Sequence, residues 1–470
     1  MESFGARARR TLIGDKAFYR AVLAIIIPVI IQNSISNFVN FLDNLMVGEL
    51  GNEQMSGVSI ANQLVFVFNL AVFGGLAGPG IFGAQFFGAG DTEGLRNTFR
   101  IKLLESVLLF GAAAAAFLGF GKQLISLFLQ GDGDPEQAKL MLKYSQDYLT
   151  VILFGLPAFA LTQCYAGTLR ETGETRLPMA ASLTAVITNG VLNYLLIFGK
   201  LGLPRMEVTG AALATVVSRY VELAIVLVYT HRHSLRFPFI RGAYRTLRIP
   251  GALLRKVAKM GAPLLLNEVL WSVGMSTLTA TYSLCGLDVV PALSISSSVS
   301  NLFNSVYMSM GTAVAVMIGQ ALGAGKFREA KRDVWRLIAF AVAMAIVMGL
   351  LLALFAPLIP EAYGGVTRDV KDMAVTLLRL TACFMPLFSF AHCSYFTLRS
   401  GGKTIITFLF DSGYTWAVSV PLALLMVNGF GADVFAAYAV VEAANIIKCT
   451  VGYLFVRSGR WIQNLTHIAE

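Results

Sequence analysis

The sequence predicts an all-α polytopic membrane protein: twelve transmembrane helices in two pseudo-symmetric six-helix bundles. Three observations carry this: the composition, the recurrence of membrane-length apolar segments, and an internal duplication. Of 470 residues, 56% are hydrophobic and only 14% charged, with a mean hydropathy of +0.67. Soluble domains do not have that balance. Crossing the roughly 30 Å hydrocarbon core takes about 20 residues in a helix. Segments of that kind run at 18–47, 55–85, 103–121, 141–168, 178–199, 209–230, 257–284, 290–319, 335–358, 374–398, 405–428 and 431–456.

The formal net charge of +10 follows the connections between these spans. Alternate connections collect Arg7, Arg9, Arg10, Lys16, Arg96, Arg100, Lys102, Arg170, Arg176, the basic run after residue 230, Lys326, Arg328, Lys331, Arg332, Arg336, Arg399, Lys403, Arg457 and Arg460. The opposite side reads "GELGNEQ", "GDGDPEQAK", "PEAYGGVTRDVKD" and "NGFGAD", acidic or balanced. This is the positive-inside pattern. It predicts a plasma (inner) membrane protein with both termini and the basic linker 231–256 in the cytoplasm. Basic residues spread over every cytoplasmic loop argue against a nucleic-acid partner. The first span is too long for a cleavable signal and lacks a small-residue cleavage site, so it is expected to remain as a helix.

Catalysis and cofactors find little support. The five cysteines (Cys164, Cys285, Cys383, Cys393, Cys449) are odd in number and dispersed in or at the ends of spans, which fits neither disulfides nor a metal site. "GAGKFREA" lacks the full spacing of a phosphate loop and the Ser or Thr after Lys. Only four histidines exist, three of them at interfaces, and no nucleophile motif is present. The expectation is no enzyme and no cofactor, with any work drawn from an ion gradient.

The duplication sets the domain organisation. "AQFFGAGDTEGLR" (84–96) resembles "GQALGAGKFREAK" (319–331), pairing Gln85 with Gln320 and Gly88-Ala89-Gly90 with Gly323-Ala324-Gly325. The same spacing pairs Pro28 with Pro263 and Asn69 with Asn304. "LPAFALTQCYAGTLRETGET" (156–175) likewise resembles "MPLFSFAHCSYFTLRSGGKT" (385–404), matching Cys164 with Cys393 and Thr168-Leu169-Arg170 with Thr397-Leu398-Arg399. Residues 1–230 and 257–470 are thus expected to form two six-helix lobes. Six is even, so these are parallel repeats, with a substrate cavity expected between them.

The candidate site begins in "QNSISNFVNFLDNLMVGEL" (32–50), a polar stretch inside the first span. At roughly 100° per residue, Gln32, Asn33, Ser36, Asn37, Asn40, Asp43 and Asn44 fall within an arc of about 140°. Such a face must point at the bundle interior or at water. Pro28, one turn earlier, removes a backbone hydrogen bond and is expected to bend the helix; Pro263 stands in the corresponding place. Asp43 is either a helix-end carboxylate satisfied by water or a switch set by protonation or sodium, and burial cost makes intramembrane carboxylates functional candidates. Glu268, in "APLLLNEVLWSVGMS", aligns with Asn33 rather than Asp43 and offers the same two readings. Asn189 and Asn193, four apart, share one helix face, as packing amides or as pocket ligands. Thr215 is a weaker candidate; Arg219 and Glu222 read as a structural pair, and Asp411 and Glu442 lie in or near spans.

"LDNLMVGELGNEQMSGVSIANQ", "GAQFFGAGD" with its echo "GQALGAGK", "YAGTLRETGET" and "NGVLNYLLIFG" resemble the multidrug and toxic compound extrusion (MATE) transporters, over essentially the whole chain. The resemblance implies two six-helix lobes in a V and export of cationic or aromatic compounds against proton or sodium entry. It implies ion-coupling roles for Asp43, the polar pair Asn189 and Asn193, and Glu268. Some members carry Asp where Asn193 stands, and some sodium-coupled members add an acid on span ten, where "CFMPLFSFAHCSYF" has only His392. Gln32, Asn33, Asn37, Asn40 and Thr215 complete the expected substrate cavity. Sodium, if used, would sit at Asp43 or Glu268. The expected partners are small cationic or aromatic drugs and membrane lipids, with the chain acting as a monomer. The alternative is a lipid-linked oligosaccharide flippase of the same superfamily, against which counts the scarcity of basic residues deep in the spans. A channel or sensor would need no duplicated lobes.

Overall fold

The computed structural model describes residues 12–126, 128–129, 135–246, 248–286, 288–362 and 367–466, apart from the side chains at 38–42, 44, 45, 52, 135 and 362. Among the described residues the chain is helical, with no strand. The helices are α1 (Lys16–Gly48), α2 (Asn52–Gly88), α3 (Thr92–Ser126), α4 (Pro135–Ile152), α5 (Leu156–Glu171), α6 (Arg176–Phe198), α7 (Glu207–Arg232), α8 (Gly251–Ser283), α9 (Val289–Gly323), α10 (Phe327–Phe355), α11 (Arg368–Ser400), α12 (Thr404–Gly429) and α13 (Val434–Ser458). Ten of these are long and apolar enough to cross a membrane, and α4 with α5, bent by 49° where they meet, make an eleventh. The twelfth, α8, has 33 residues, enough to span, but carries Asn267, Glu268, Ser272 and Ser276 in its middle. Each of the twelve expected spans falls on one of these helices, α4 and α5 together making the fourth.

Local chemistry sets the helix ends. Asp15, Asp91 and Asp433 accept from the backbone N–H three residues on (Phe18, 2.8 Å; Gly94, 2.8 Å; Ala436, 2.7 Å), satisfying one of the orphan donors of a helix start. The duplicated sequences build duplicated turns. After α2, Gly90 sits at φ +74; after α9, its counterpart Gly325 sits at +72. The N–H groups of Ala89 and Ala324 donate to the Gln85 and Gln320 carbonyls, each at 2.9 Å. The second pair of repeats does the same: Gly173 (φ +83) donates to the Arg170 carbonyl and Gly402 (φ +73) to the Arg399 carbonyl, each at 2.9 Å.

The chain divides into two compact units. One holds the residues up to Ile30, Ala84–Gly90 and the chain from Ala258 on; the other holds Ile31–Gly83 and Asp91–Val257. Helix α1 therefore changes unit at Ile30, half a turn after Pro28, and Pro263 lies inside α8. In the first unit Val22 and Ile26 of α1 pack with Met310, Val314, Ile318 and Leu322 of α9, Leu337 of α10, Leu398 of α11 and Trp461. Large apolar side chains elsewhere stay exposed, Leu108 and Leu118 of α3 and Leu350 and Leu354 of α10 among them. In a bilayer these face acyl chains rather than water.

Candidate functional site

The second unit holds an open cavity of about 470 Å³ lined by Asp43, Asn62, Asn69, Tyr148, Asn193, Thr215 and Arg219 among others. Five helices supply these polar groups: α1, α2, α4 (Tyr148), α6 and α7. Two further amides come from α6, whose i, i+4 spacing stacks Asn189 and Asn193 on one face, both buried. Asn193 donates to Asp43 Oδ1 at 2.6 Å. Its own Oδ1 is buried and accepts no hydrogen bond. Thr215 is tied to Asn189 at 3.3 Å and donates its hydroxyl to the Ala211 carbonyl at 3.1 Å.

The Asn189 amide donates to both Asp43 oxygens at 2.9 Å and accepts from Thr215 at 3.3 Å. The groups around Asp43 are amides and hydroxyls with no thiol or imidazole among them, a hard environment suited to a proton or an alkali cation rather than to a thiolate- or imidazole-seeking metal. Among the described residues no three His, Cys, Asp or Glu side chains converge. Arg219, which also lines the cavity, is held by Glu222 at 3.2 Å and lies 5.1 Å from the Phe159 ring centroid.

The other expected residues are placed as follows. Gln32 accepts from Arg170 Nη2 at 3.2 Å and does not line the cavity. Asn33 and Asn37 are half-buried on α1 and also lie outside that lining. The Asn40 side chain falls outside the described residues. Glu268 belongs to the other unit, half-buried on α8 and within the fields of Arg399 and Asp411. Beside it Asn267, Tyr395, Asp411 and Lys448 make a cluster that sequence reasoning missed. The signal was there: Lys448 is a lone cation inside the apolar run "NIIKCTVGYLFV". Tyr148 and Asn62 gave no comparable signal, being ordinary residues that only packing brings to Asp43.

The sequence profile of the MatE family matches residues 28–195 and 263–425. The chain is 24% identical over 450 residues to a probable multidrug resistance protein NorM of Thermotoga maritima, covering 94% of this chain and 93% of that one. It is 23% identical over 409 residues to the probable multidrug resistance protein YoeA of Bacillus subtilis, covering 87% of each. It is also 24% identical over 370 residues to an FAD transporter of Shewanella oneidensis, covering 76% and 79%. Solved MATE structures share the fold. One in complex with MaL6 superposes with a TM-score of 0.84 at 22% identity, covering 96% of this chain and 97% of that one. A multidrug resistance MATE transporter in an outward-facing conformation gives 0.83, with the same identity and coverage. With its profile matched in both halves and its fold shared along nearly its whole length, the chain belongs to the MATE family of membrane transporters.

Proposed function

We propose that this transporter is a secondary-active multidrug exporter, expelling cationic or aromatic compounds in exchange for protons or sodium ions. The observation that carries the reading is the Asp43 carboxylate lining a cavity and gripped by Asn193, with Asn189 and Thr215 behind it. The names of the NorM and YoeA relatives support the substrate class. The chain would work in the plasma membrane as a monomer without a cofactor, both termini cytoplasmic. Residues 1–230 and 257–470 would act as the two lobes, joined by the linker 231–256.

The cycle follows from linkage. Ion and drug compete, directly or through conformation, so each lowers the affinity for the other. Facing outward, Asp43 takes up its ion. Neutralisation removes the attraction for a cationic substrate, which leaves. Pro28, with no N–H to donate, lets α1 flex next to the point where it passes between the compact units. Facing inward, the ion dissociates and the bare carboxylate recruits the next cation. Glu268 is the second candidate for ion entry.

The test is dye efflux from proteoliposomes under an imposed proton or sodium gradient. Efflux is expected to follow one of the two gradients, Asp43→Asn to abolish it, and Glu268→Gln to slow it. If neither gradient drives any cationic dye and both substitutions are silent, the exporter reading is wrong.

A further inference from the structure

The cluster around Lys448 has no part in the cycle just described. Asp411 lies in a π-helical turn of α12, Leu409–Gly413, a distortion that recurs at functional positions. Both its oxygens are occupied: Oδ1 accepts from Lys448 Nζ at 2.7 Å, Oδ2 from Asn267 Nδ2 at 3.1 Å. Asn267 is itself fixed, accepting on Oδ1 from the Ser412 N–H at 3.2 Å and hydroxyl at 2.8 Å, while its Nδ2 reaches the Tyr395 hydroxyl at 3.4 Å. The ring centroids of Phe410 and Tyr414 lie 5.4 and 5.7 Å from Lys448 Nζ. The two charged side chains are only 15% and 19% exposed. Among the described residues of this unit, the other titratable groups acting on the cluster include Glu268, Arg399, His392 and Glu442, the last accepting from Asn445 at 3.0 Å.

Lys448 stands near the middle of α13, where an uncompensated ammonium is very costly and a lone carboxylate equally so. An ammonium is also, chemically, a monovalent cation on a stem. Its surroundings here are a prepositioned carboxylate and two aromatic faces, groups that would hold a free monovalent cation as well. We propose that Lys448 is a tethered counter-ion filling a monovalent-cation site built on Asp411. The Asp411 position is then permanently loaded, and ion exchange is left to Asp43 and Glu268. This last step rests on the reading of Asp43 given above.

The experiment measures radioactive sodium bound by the purified full-length protein, with every variant made in an Asp43→Asn background. Adding Lys448→Gln frees Asp411 and is expected to gain about one sodium per chain over its Asp43→Asn parent. Lys448→Arg, which keeps the charge, should gain none, and adding Asp411→Asn to Lys448→Gln should erase the gain. The proposal is overturned if folded Lys448→Gln binds no more sodium than its parent, or if the gain survives Asp411→Asn. Should Lys448→Gln yield poorly folded protein, sodium or Asp411→Asn must restore it; instability relieved by neither also overturns the proposal. If instead Asp43→Asn leaves the sodium binding and efflux of the otherwise native chain unchanged, it is the Asp43 reading that falls, since the Lys448 comparison is made against its own parent.

Discussion

Asp43 depends on its donors because a half-buried carboxylate in a bundle keeps its charge only while hydrogen bonds replace water. Asn193, at 2.6 Å, is the shortest of them. Asn193→Leu removes a charge-assisted bond worth about 1.5–3 kcal/mol, or roughly a 10- to 100-fold change in coupling-ion affinity at 1.4 kcal/mol per decade. Thr215 acts one step back, through Asn189 at 3.3 Å. Thr215→Val gives up a neutral bond of about 0.5–1.5 kcal/mol and is expected to shift the affinity less than tenfold. The ion-concentration dependence of dye efflux reads both; a larger effect of Thr215→Val than of Asn193→Leu would reverse the assigned roles. These residues were legible in the sequence because polar side chains at helical spacing inside an apolar run are too costly to face lipid and must meet a polar partner. Gln32, Asn33 and Asn37 carried the same signal, yet they do not line the cavity. A helical wheel gives the face a residue occupies, not the depth at which that face meets a neighbour.

At the scale of elements, hydropathy located every span and misjudged how the helices run. The third apolar segment, 103–121, is the core of a helix extending over Thr92–Ser126, because helices run past the bilayer until a cap or turn stops them. The expected single span 141–168 is broken at Leu153–Gly155, just before Pro157, and α12 holds three π-helical turns, neither visible in an apolar run. Glycines separate by what surrounds them. A Cβ on Gly88 would come within 2.0 Å of the Gln320 carbonyl oxygen, and one on Gly323 within 1.8 Å of the Gln85 carbonyl oxygen. These are reciprocal contacts between the duplicated motifs, against backbone that cannot step aside. Gly88→Val and Gly323→Val are each expected to lose most folded protein or to lower Tm by many degrees. Gly111 and Gly119, on α3, have nothing within 4 Å of a Cβ; alanine there should stabilise by about 0.5–1 kcal/mol through helix propensity. Thermal unfolding of the detergent-solubilised variants distinguishes the two classes. Equal tolerance in both pairs would mean the close contacts are not maintained.

Over the whole molecule the duplication was the most legible feature, since repeated motifs fold into repeated turns. What repetition could not reveal is where the two copies are used differently. Gln85 and Gln320 occupy equivalent positions, but Gln85 is fully buried by the C-terminal segment after α13, whereas Gln320 is half-buried. The Gln85 Nε2 donates to the Ser400 and Gln463 carbonyls, at 2.9 and 3.2 Å, and its Oε1 accepts from the Leu465 N–H at 2.6 Å. Asn464 Nδ2 donates to the Gly323 carbonyl at 3.1 Å, and the Trp461 backbone covers Gly401 so closely that a Cβ there would reach its oxygen at 1.8 Å. One side chain thus ties the last turn of α2 to the ends of α9 and α11 through the segment 461–466. Gln85→Leu keeps the volume and removes three hydrogen bonds to the backbone, at about 0.5–1.5 kcal/mol each. Gln320→Leu, at a position water still reaches, should cost less. Truncation after Arg460 also removes Trp461, 1% exposed, whose loss as a core aromatic costs about 3–5 kcal/mol. The expected order of Tm is native, then Gln320→Leu, then Gln85→Leu, then the truncation. If Gln85→Leu unfolds with the native protein, the segment does not hold α2. If Gln85→Leu and the truncation fall equally far, Gln85 is the segment's whole contribution and Trp461 adds nothing.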